Sequence, residues 1–376
     1  MDQPVVQGPG KPEPERRSAT PRMKQGAARE SPLPEPHTLD LTVIMPTVDF
    51  GDDFTRSARR VSQSIARFPG TAEFIVVLDG PAVTPPTWLD CSGVTILATG
   101  TRRGPAIARN AAANAARGRV LVFVDADVEL ARDVLDRVSA SFTAQPDLVG
   151  VFGAYDDEPA APGLVSQFRN LLHHHTHVAH RGPATTFWTG CGAMRTATFL
   201  DAGGFDPSFS CPSVEDIDLG SRVTAAGGRI VIDPSLQCKH LKRWTLGSMI
   251  HTDVFGRAVP WTRMLLSRRQ WPATLAIDWR SRISALLAMM FITALLAAPW
   301  SSHLRTAAAV CGLALVVCQY SFYRLCFRKQ GPLFALGAVV LHVTFFVYSS
   351  IAFAAVVMAE IVVSPRRRAE AVKETA

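Results

Sequence analysis

The chain has 376 residues, carries a formal net charge of +7 and is 48% apolar. That length fits one large domain or two ordinary ones, and the apolar surplus sits in the last hundred residues, which argues against a uniformly water-soluble chain. Seven cysteines with no CxxC pair argue against a disulfide framework or a structural zinc site and fit a reduced cytosolic setting. The positive charge is local. Residues 239–282 hold nine Lys/Arg against two Asp, and this block abuts the first long apolar stretch. An anionic membrane surface is therefore the expected partner, and no nucleic acid is expected.

Residues 1–38 hold eight prolines and mixed charge without apolar periodicity, which reads as a disordered cytoplasmic tail. No apolar run follows the first residues, so a signal peptide is not expected. Residues 41–45 form the first expected strand, stopped by Pro46, with Thr47 and Asp49 at its carboxyl end. Residues 52–68 have helical spacing and end at Pro69-Gly70. Residues 74–78 are a second buried strand, ending in Asp79-Gly80, and 94–98 a third. Arg102-Arg103-Gly104-Pro105 then opens an Ala-rich helix that carries Arg109 and closes at Gly118. Residues 120–124 run into Asp125-Ala126-Asp127, and a helix follows over 131–143. This alternation predicts an α/β fold with a doubly wound, mostly parallel sheet.

A short apolar run that ends in acids reads as a buried parallel strand with chemistry at its carboxyl end, where open α/β sheets bind ligands. Asp125 and Asp127 can share a divalent cation bridged to a diphosphate; the plain alternative is two solvated acids. Gly104-Pro105 suits a helix start whose free N–H groups, with Arg103 and Arg109, could hold a diphosphate. Asp79 could accept the N3–H of a uracil ring or simply make a turn before Gly80.

The order strand-Pro-Thr, strand-Asp, GPAxARN, strand-DAD resembles the nucleotide-binding half of the inverting family 2 glycosyltransferases, which have the GT-A (Rossmann-like) fold. The resemblance implies that Pro46, Thr47, Asp79, Arg103, Gly104, Arg109 and Asp125 serve a nucleotide-diphosphate sugar. It also implies that Asp125 and Asp127, the DXD motif, hold Mn²⁺ or Mg²⁺. The family's pattern often has two acids after the second strand; this chain has Asp79 alone.

Farther on, 148–154 reads as a strand, and 168–180 carries five histidines. On a helix His173, His177 and His180 share a face, either a polar surface or a site for metal or phosphate. In 186–209, Phe187 and Trp188 could stack on a sugar or pack in the core, and Gly190, Cys191, Gly192 and Ala193 would let backbone approach a ligand. Glu215-Asp216 opens a helix over 214–227. In the resembled family this is the catalytic signature, which implies that Asp216 is the general base and puts Trp188, Gly192, Glu215, Arg243 and Trp244 on the acceptor side. Residues 229–232 read as a short edge strand. His240 stands where processive members carry Gln, and it could be a third metal ligand; Arg243 or Lys242 could steady the leaving diphosphate.

Residues 245–282 read as amphipathic interfacial helices broken at Pro260. Stretches at 283–300, 306–320 and 333–363 are apolar enough to span a bilayer, and 364–376 is a basic tail. Three spans would put that tail outside, against the positive-inside rule, unless one segment is re-entrant. The domains expected are therefore a tail (1–38), a GT-A domain (39–244), interfacial helices (245–282), about three transmembrane helices (283–363) and the tail. The expected function is a cell-membrane glycosyltransferase, hexosyl- or N-acetylhexosaminyl-type, with its catalytic domain in the cytoplasm. It would move a sugar to a lipid or lipid-linked glycan with inversion. The alternatives are a processive polysaccharide synthase, a polyprenyl-phosphate glycosyltransferase, a nucleotidyltransferase or a non-catalytic scaffold.

Overall fold

The computed structural model describes residues 38–89, 93–268 and 278–374. Apart from Thr38, the expected proline-rich tail lies outside the described residues.

The first strands, β1 (Leu39–Thr47), β2 (Ala72–Leu78), β3 (Val94–Ala98) and β4 (Gly118–Val124), pair in parallel. Alternate side chains of these strands enter two different cores, as the period-2 geometry of a strand requires. Leu41, Val43 and Met45 face helices α1 (Asp52–Arg67) and α3 (Val134–Ala144). Ile44, Leu121 and Phe123 face α2 (Pro105–Ala115), α5 (Thr196–Asp201) and α6 (Glu215–Ala225). Helix α2 ends before Gly118, which opens β4 instead of closing the helix.

The remaining strands are β5 (Val128–Leu130), β6 (Leu148–Tyr155), β7 (Gly182–Ala184), β8 (Cys191–Arg195) and β9 (Arg229–His240). The sheet order is β3-β2-β1-β4-β8-β6-β9-β5, with β7 also on β9. The sheet is mixed, with most strands in one direction: β1 to β4, β6 and β9 run the same way, β8 lies antiparallel between β4 and β6, and β5 and β7 run antiparallel to β9. The expected short edge strand at 229–232 is the start of the 12-residue β9, which pairs with β6 on one side and with β7 and β5 on the other. Because β1 lies between β2 and β4, the topology switches there, and the crevice at the carboxyl ends of β1 and β4 is where such a sheet binds ligands.

Helix α4 (Leu164–Ala179) covers part of β6 and also carries the C-terminal helices. Helix α7 (Leu246–His251) continues through a π-helical segment (Thr252–Ala258) into α8 (Val259–Arg268). Pro260 does not break this run. It falls in the first turn of α8, just after the wide π turn in which the Val259 N–H reaches back to the Val254 carbonyl, and a first-turn proline forfeits no needed donor.

Helices α9 (Trp279–Ala297) and α10 (Ser302–Cys318) form an antiparallel hairpin. Arg280 donates to the Cys318 carbonyl (2.5 Å) and Gln319 to Ser284 Oγ (2.9 Å), so the hairpin's two ends meet. Helix α11 (Tyr320–Gln330) turns 72° from α10, and α12 runs from Pro332 to Glu374. Among the described residues two helical stretches are long and apolar enough to cross a membrane, Trp279–Trp300 and Pro332–Val362; the expected span at 306–320 falls in the bent α10–α11 pair. The residues expected as a basic tail continue α12 up to Glu374. Phe168 and Leu171 of α4 pack with Trp244, Met249, Phe322, Tyr323, Ala338 and Leu341, which joins the α/β domain to α7, α11 and α12.

Gly153 sits at a bulge between β6 and β9, where an added Cβ would lie 1.8 Å from the Leu236 carbonyl oxygen. Gly153→Ala must push these two strands apart, and overpacking of this kind costs about 2 kcal/mol or more. A clear fall in the thermal unfolding midpoint of the detergent-solubilised protein is expected; an unchanged midpoint would contradict this strand packing.

Candidate active site

Asp125 and Asp127 follow β4, and pairing of β5 with β9 brings a distant residue to them. Val128 is registered with His240, and the Leu241 N–H donates to the Asp127 carbonyl (2.9 Å). His240 Nε2 therefore stands 3.5 Å from Asp127 Oδ2. Burial alone would raise the Asp127 carboxyl, but His240 and Lys242 outweigh it and hold it below the usual carboxylate range. The His240 ring is fixed from behind by a parallel stack on Tyr155, with centroids 4.4 Å apart and planes 7° apart.

Behind Tyr155 lie His173 (4.2 Å between centroids) and Trp188 (5.0 Å), with His177 4.0 Å from His173. The helix face of 173, 177 and 180 is thus neither a solvated face nor a ligand cluster. His177 donates through Nδ1 to the Gly153 carbonyl (2.7 Å), and burial pushes its pKa down to about 4. His173 is driven well below the usual range by burial and by its neighbour His177, so both rings are neutral packing groups. His180 turns instead to Asp278 (3.2 Å). His173 was marked in the sequence only as part of a shared histidine face, and Tyr155 carries no motif; its one signal was its position at the carboxyl end of a strand.

Arg109 is the main departure from expectation. Its side chain is 5% exposed, with Nη2 on Asp125 (2.7 Å) and Nη1 on Glu215 (2.9 Å), while its buried Nε has no hydrogen-bond partner. The expected diphosphate cation is thus shared by the buried Glu215 and by Asp125, whose side chain is 31% exposed. Each acid gives one oxygen to Arg109, and Asp125 stays two residues from Asp127 at the end of β4. Among the described residues no three His, Cys, Asp or Glu side chains gather as a metal site. A carboxylate oxygen and an imidazole nitrogen 3.5 Å apart are nevertheless a fitting partial ligand set for a divalent ion whose other positions are filled by diphosphate and water.

Asp216 lies one residue past Glu215 at the start of α6. Its Oδ2 accepts from the Thr189 N–H (3.3 Å) and its Oδ1 from the Ile217 N–H (2.8 Å). Burial first and the Glu215 charge second raise its pKa to about 7, against the pull of Arg109. Arg109 thus links the acids after β4 to the acids opening α6.

The loop before α2 is organised by Asp79. This carboxylate accepts from the backbone N–H groups of Arg103 (2.9 Å) and Gly104 (3.0 Å) and from Thr99 Oγ1 (3.2 Å), so it closes the 99–104 loop before it meets any base. Gly104 has φ +93°, and an added Cβ would lie 2.5 Å from the Ser210 carbonyl, so glycine is required there. The Arg103 side chain is exposed beside it. Pro46 and Thr47 end β1 next to β2, and Thr47 is buried.

On the expected acceptor side, Gly192 lies inside β8, and its Cβ would meet the Trp188 carbonyl at 2.1 Å; it serves close packing, not a ligand. Phe187 is core, edge-on to Phe123 and Phe152. Trp188 packs in the aromatic wall and keeps part of its surface exposed. Trp244 is a buried peg whose backbone N–H donates to Ser166 Oγ (2.9 Å), with Lys242 4.3 Å over its ring; Arg243 is exposed. Helix α6 is also gripped from the far side, where Asp218 pairs with Arg222 (2.8 Å) and with Arg268 at the end of α8.

The solved structures that resemble the chain include the following three. A mannosyltransferase from Pyrobaculum calidifontis, in complex with GDP-Man and Mn²⁺, is 19% identical over 85% of this chain and 88% of its own, with a TM-score of 0.47. TarS (residues 1–349) from S. aureus is 15% identical over 82% of this chain and 90% of its own, with a TM-score of 0.43. GalNAc-T7, with UDP, GalNAc and Mn²⁺, is 17% identical over 57% of this chain and 48% of its own, with a TM-score of 0.41. No curated protein matches the chain in sequence. The sequence profile of glycosyl transferase family 2 matches residues 42–203, a span that takes in most of β1, all of β2 to β8, Asp79, Arg109 and the Asp125-Ala126-Asp127 turn. Residues 42–203 are therefore similar to a glycosyl transferase family 2 domain and fold on a mixed α/β sheet.

Proposed function

We propose that the protein is a membrane-anchored transferase that moves a hexosyl or N-acetylhexosaminyl group, with inversion, from a nucleotide-diphosphate sugar to a hydroxyl of a lipid or lipid-linked glycan. The observation that carries this reading is the Arg109 bridge: one buried guanidinium holds Asp125 beside Asp127 and Glu215 beside Asp216. Donor-binding acids and a base then open onto one crevice.

The donor would lie over the carboxyl ends of β1, β2 and β4, near Thr47, Asp79 and Arg103, with Asp125 toward the ribose. Asp127 and His240 would hold a divalent cation, which supplies neutralisation of the diphosphate charge. Asp216 would take the acceptor hydroxyl proton while that oxygen attacks the anomeric carbon, and the nucleoside diphosphate would leave from the opposite face. A base with pKa about 7 is well matched to this task. It also favours a hydroxyl acceptor over a phosphate, which is already ionised and needs no base. The exposed Lys242 and Arg243 would face the leaving or accepting anionic groups.

Membrane anchoring rests on α9 and its 3-10 extension. This 22-residue stretch begins at Trp279 and ends at Trp300, 67% and 81% exposed. It measures about 33 Å, close to a hydrocarbon core of about 30 Å with an aromatic residue at each interface. Arg280, Arg282, Arg324, Arg328 and Lys329 flank the hairpin on the side of the catalytic domain, which favours a cytoplasmic catalytic side.

The reading is tested on detergent-solubilised protein with lipid extract, a panel of UDP-, GDP- and dTDP-sugars, and Mn²⁺ or EDTA. One donor should release nucleoside diphosphate and place its sugar in the lipid phase, and EDTA or Asp127→Ala should lower turnover at least about 100-fold, the scale of losing a preorganised charge contact. Pyrophosphate as the product would make the protein a nucleotidyltransferase, and donor binding without turnover would make it a scaffold. Asp216→Asn should lower kcat by about 100-fold or more while leaving donor affinity near wild type. The active form of Asp216 is the carboxylate, so wild-type kcat should fall as pH drops through about 7. A flat profile from pH 5.5 to 8.5 would remove Asp216 from the base role.

A further inference from the structure

Helix α12 has the length and hydropathy of a membrane span, and its Phe346 packs with Ala288 of α9 and Leu315 of α10, yet points along its length also touch the catalytic domain and α8. Near its start, Gly337 lies against Leu164 of α4, and the His342 ring is 5.9 Å from Phe168 of the same helix. Farther on, Tyr348 donates to Asp253 Oδ2 (2.7 Å), and the other oxygen of Asp253 is held by Arg169 of α4 (2.5 Å). Farther still, Glu360 meets Arg263 of α8 (3.7 Å). Helix α8 itself rests on the catalytic domain, because Arg268 in its last turn pairs with Asp218, two residues past Asp216.

These contacts conflict with a transmembrane path. From Pro332 to Glu360 the helix advances about 42 Å, more than a bilayer core of about 30 Å. Pro332 begins on the catalytic side, three residues after Lys329, which pairs with Asp157 (2.6 Å). A crossing helix would therefore carry Glu360 to the opposite side. Instead Glu360 pairs with a residue only five positions, about 8 Å of helix, from the side chain that grips Asp218. One catalytic domain cannot stand on both sides of a membrane.

We propose that α12 lies along the catalytic-side face of the bilayer, so that the chain crosses only through the α9–α10 hairpin. The end of α12 then stays beside the catalytic domain. This inference rests on the reading of the chain as membrane-bound. Leu333, Leu336, Val340, Ile351, Phe353, Met358 and Ile361 are exposed and would dip into the acyl chains. The helix has no polar face of its own because protein, and not water, covers its inner side; a solitary interfacial helix would need one. Out and back through a hairpin is an even number of crossings. It leaves Arg366, Arg367 and Arg368 on the catalytic side, where anionic headgroups attract them, and removes the conflict with the positive-inside rule. The arrangement also holds the helix bearing Asp216 at headgroup depth, through Arg268.

The test uses the full chain in sealed inverted membrane vesicles, labelled with a membrane-impermeant maleimide and read peptide by peptide. Native Cys211 is exposed on the catalytic domain and marks its side. Ala371→Cys should label together with Cys211 in intact vesicles, and Ser302→Cys, at the hairpin turn, only after permeabilisation. Labelling of Ala371→Cys only together with Ser302→Cys would overturn the inference and return α12 to a span. Labelling of Ser302→Cys in intact vesicles would overturn the hairpin crossing. Release of the chain by alkaline carbonate is a separate readout, and it would sink the membrane-bound reading itself.

Discussion

A single buried arginine holds the centre of this protein together. Arg109 projects from α2 between Asp125 and Glu215, which lie 16 and 106 residues away in sequence. Asp125, Asp127, Glu215 and Asp216 would repel one another without it. Removing one partner from a buried ion-pair network typically costs about 3–5 kcal/mol, because the others are left uncompensated. One guanidinium does not neutralise four carboxylates. Burial first and the neighbouring Glu215 charge second push the Asp216 pKa up to about 7, and the residual negative charge suits a site that would receive a divalent cation with its phosphate-bearing ligand.

A second constraint works through stacking. His240 is set beside Asp127 by strand register and kept flat by Tyr155, which rests on His173 of α4. The same helix carries Arg169, whose ion pair with Asp253 receives the Tyr348 hydroxyl from α12. Neutral buried imidazoles therefore lie in a continuous packed path from the candidate metal ligands to the C-terminal helices. Under the proposed membrane placement, that path would keep the candidate site at a fixed height above the lipid surface.

Much of this was legible in the sequence because it is local. Apolar runs ending in acid marked β2 and β4, a run stopped at Pro46 marked β1, and Gly104-Pro105 marked the start of α2. What was not legible depends on distant partners. The antiparallel insertion of β8 follows from pairing with β4 and β6, which no property of residues 191–195 announces. The length of β9 was hidden because residues 233–237, with Asp233 and Pro234, lack strand patterning, yet the bulges against β6 absorb them. Arg109 read as a phosphate ligand because a cation at a helix start looks available until its two carboxylates are placed beside it. Pro260 read as a break because the π turn before it leaves no trace in composition.

The central claim is that Arg109 makes the acids after β4 and the acids opening α6 one electrostatic unit. The most direct measurement is the pH dependence of kcat, with donor affinity, for Arg109→Gln in protein that still unfolds cooperatively. Loss of the guanidinium should weaken donor binding through Asp125 and, because its charge opposes the raised pKa of Asp216, move the acid limb above about 7. Donor affinity and an acid limb both identical to wild type would show that the two acid pairs act independently, and the account would fail.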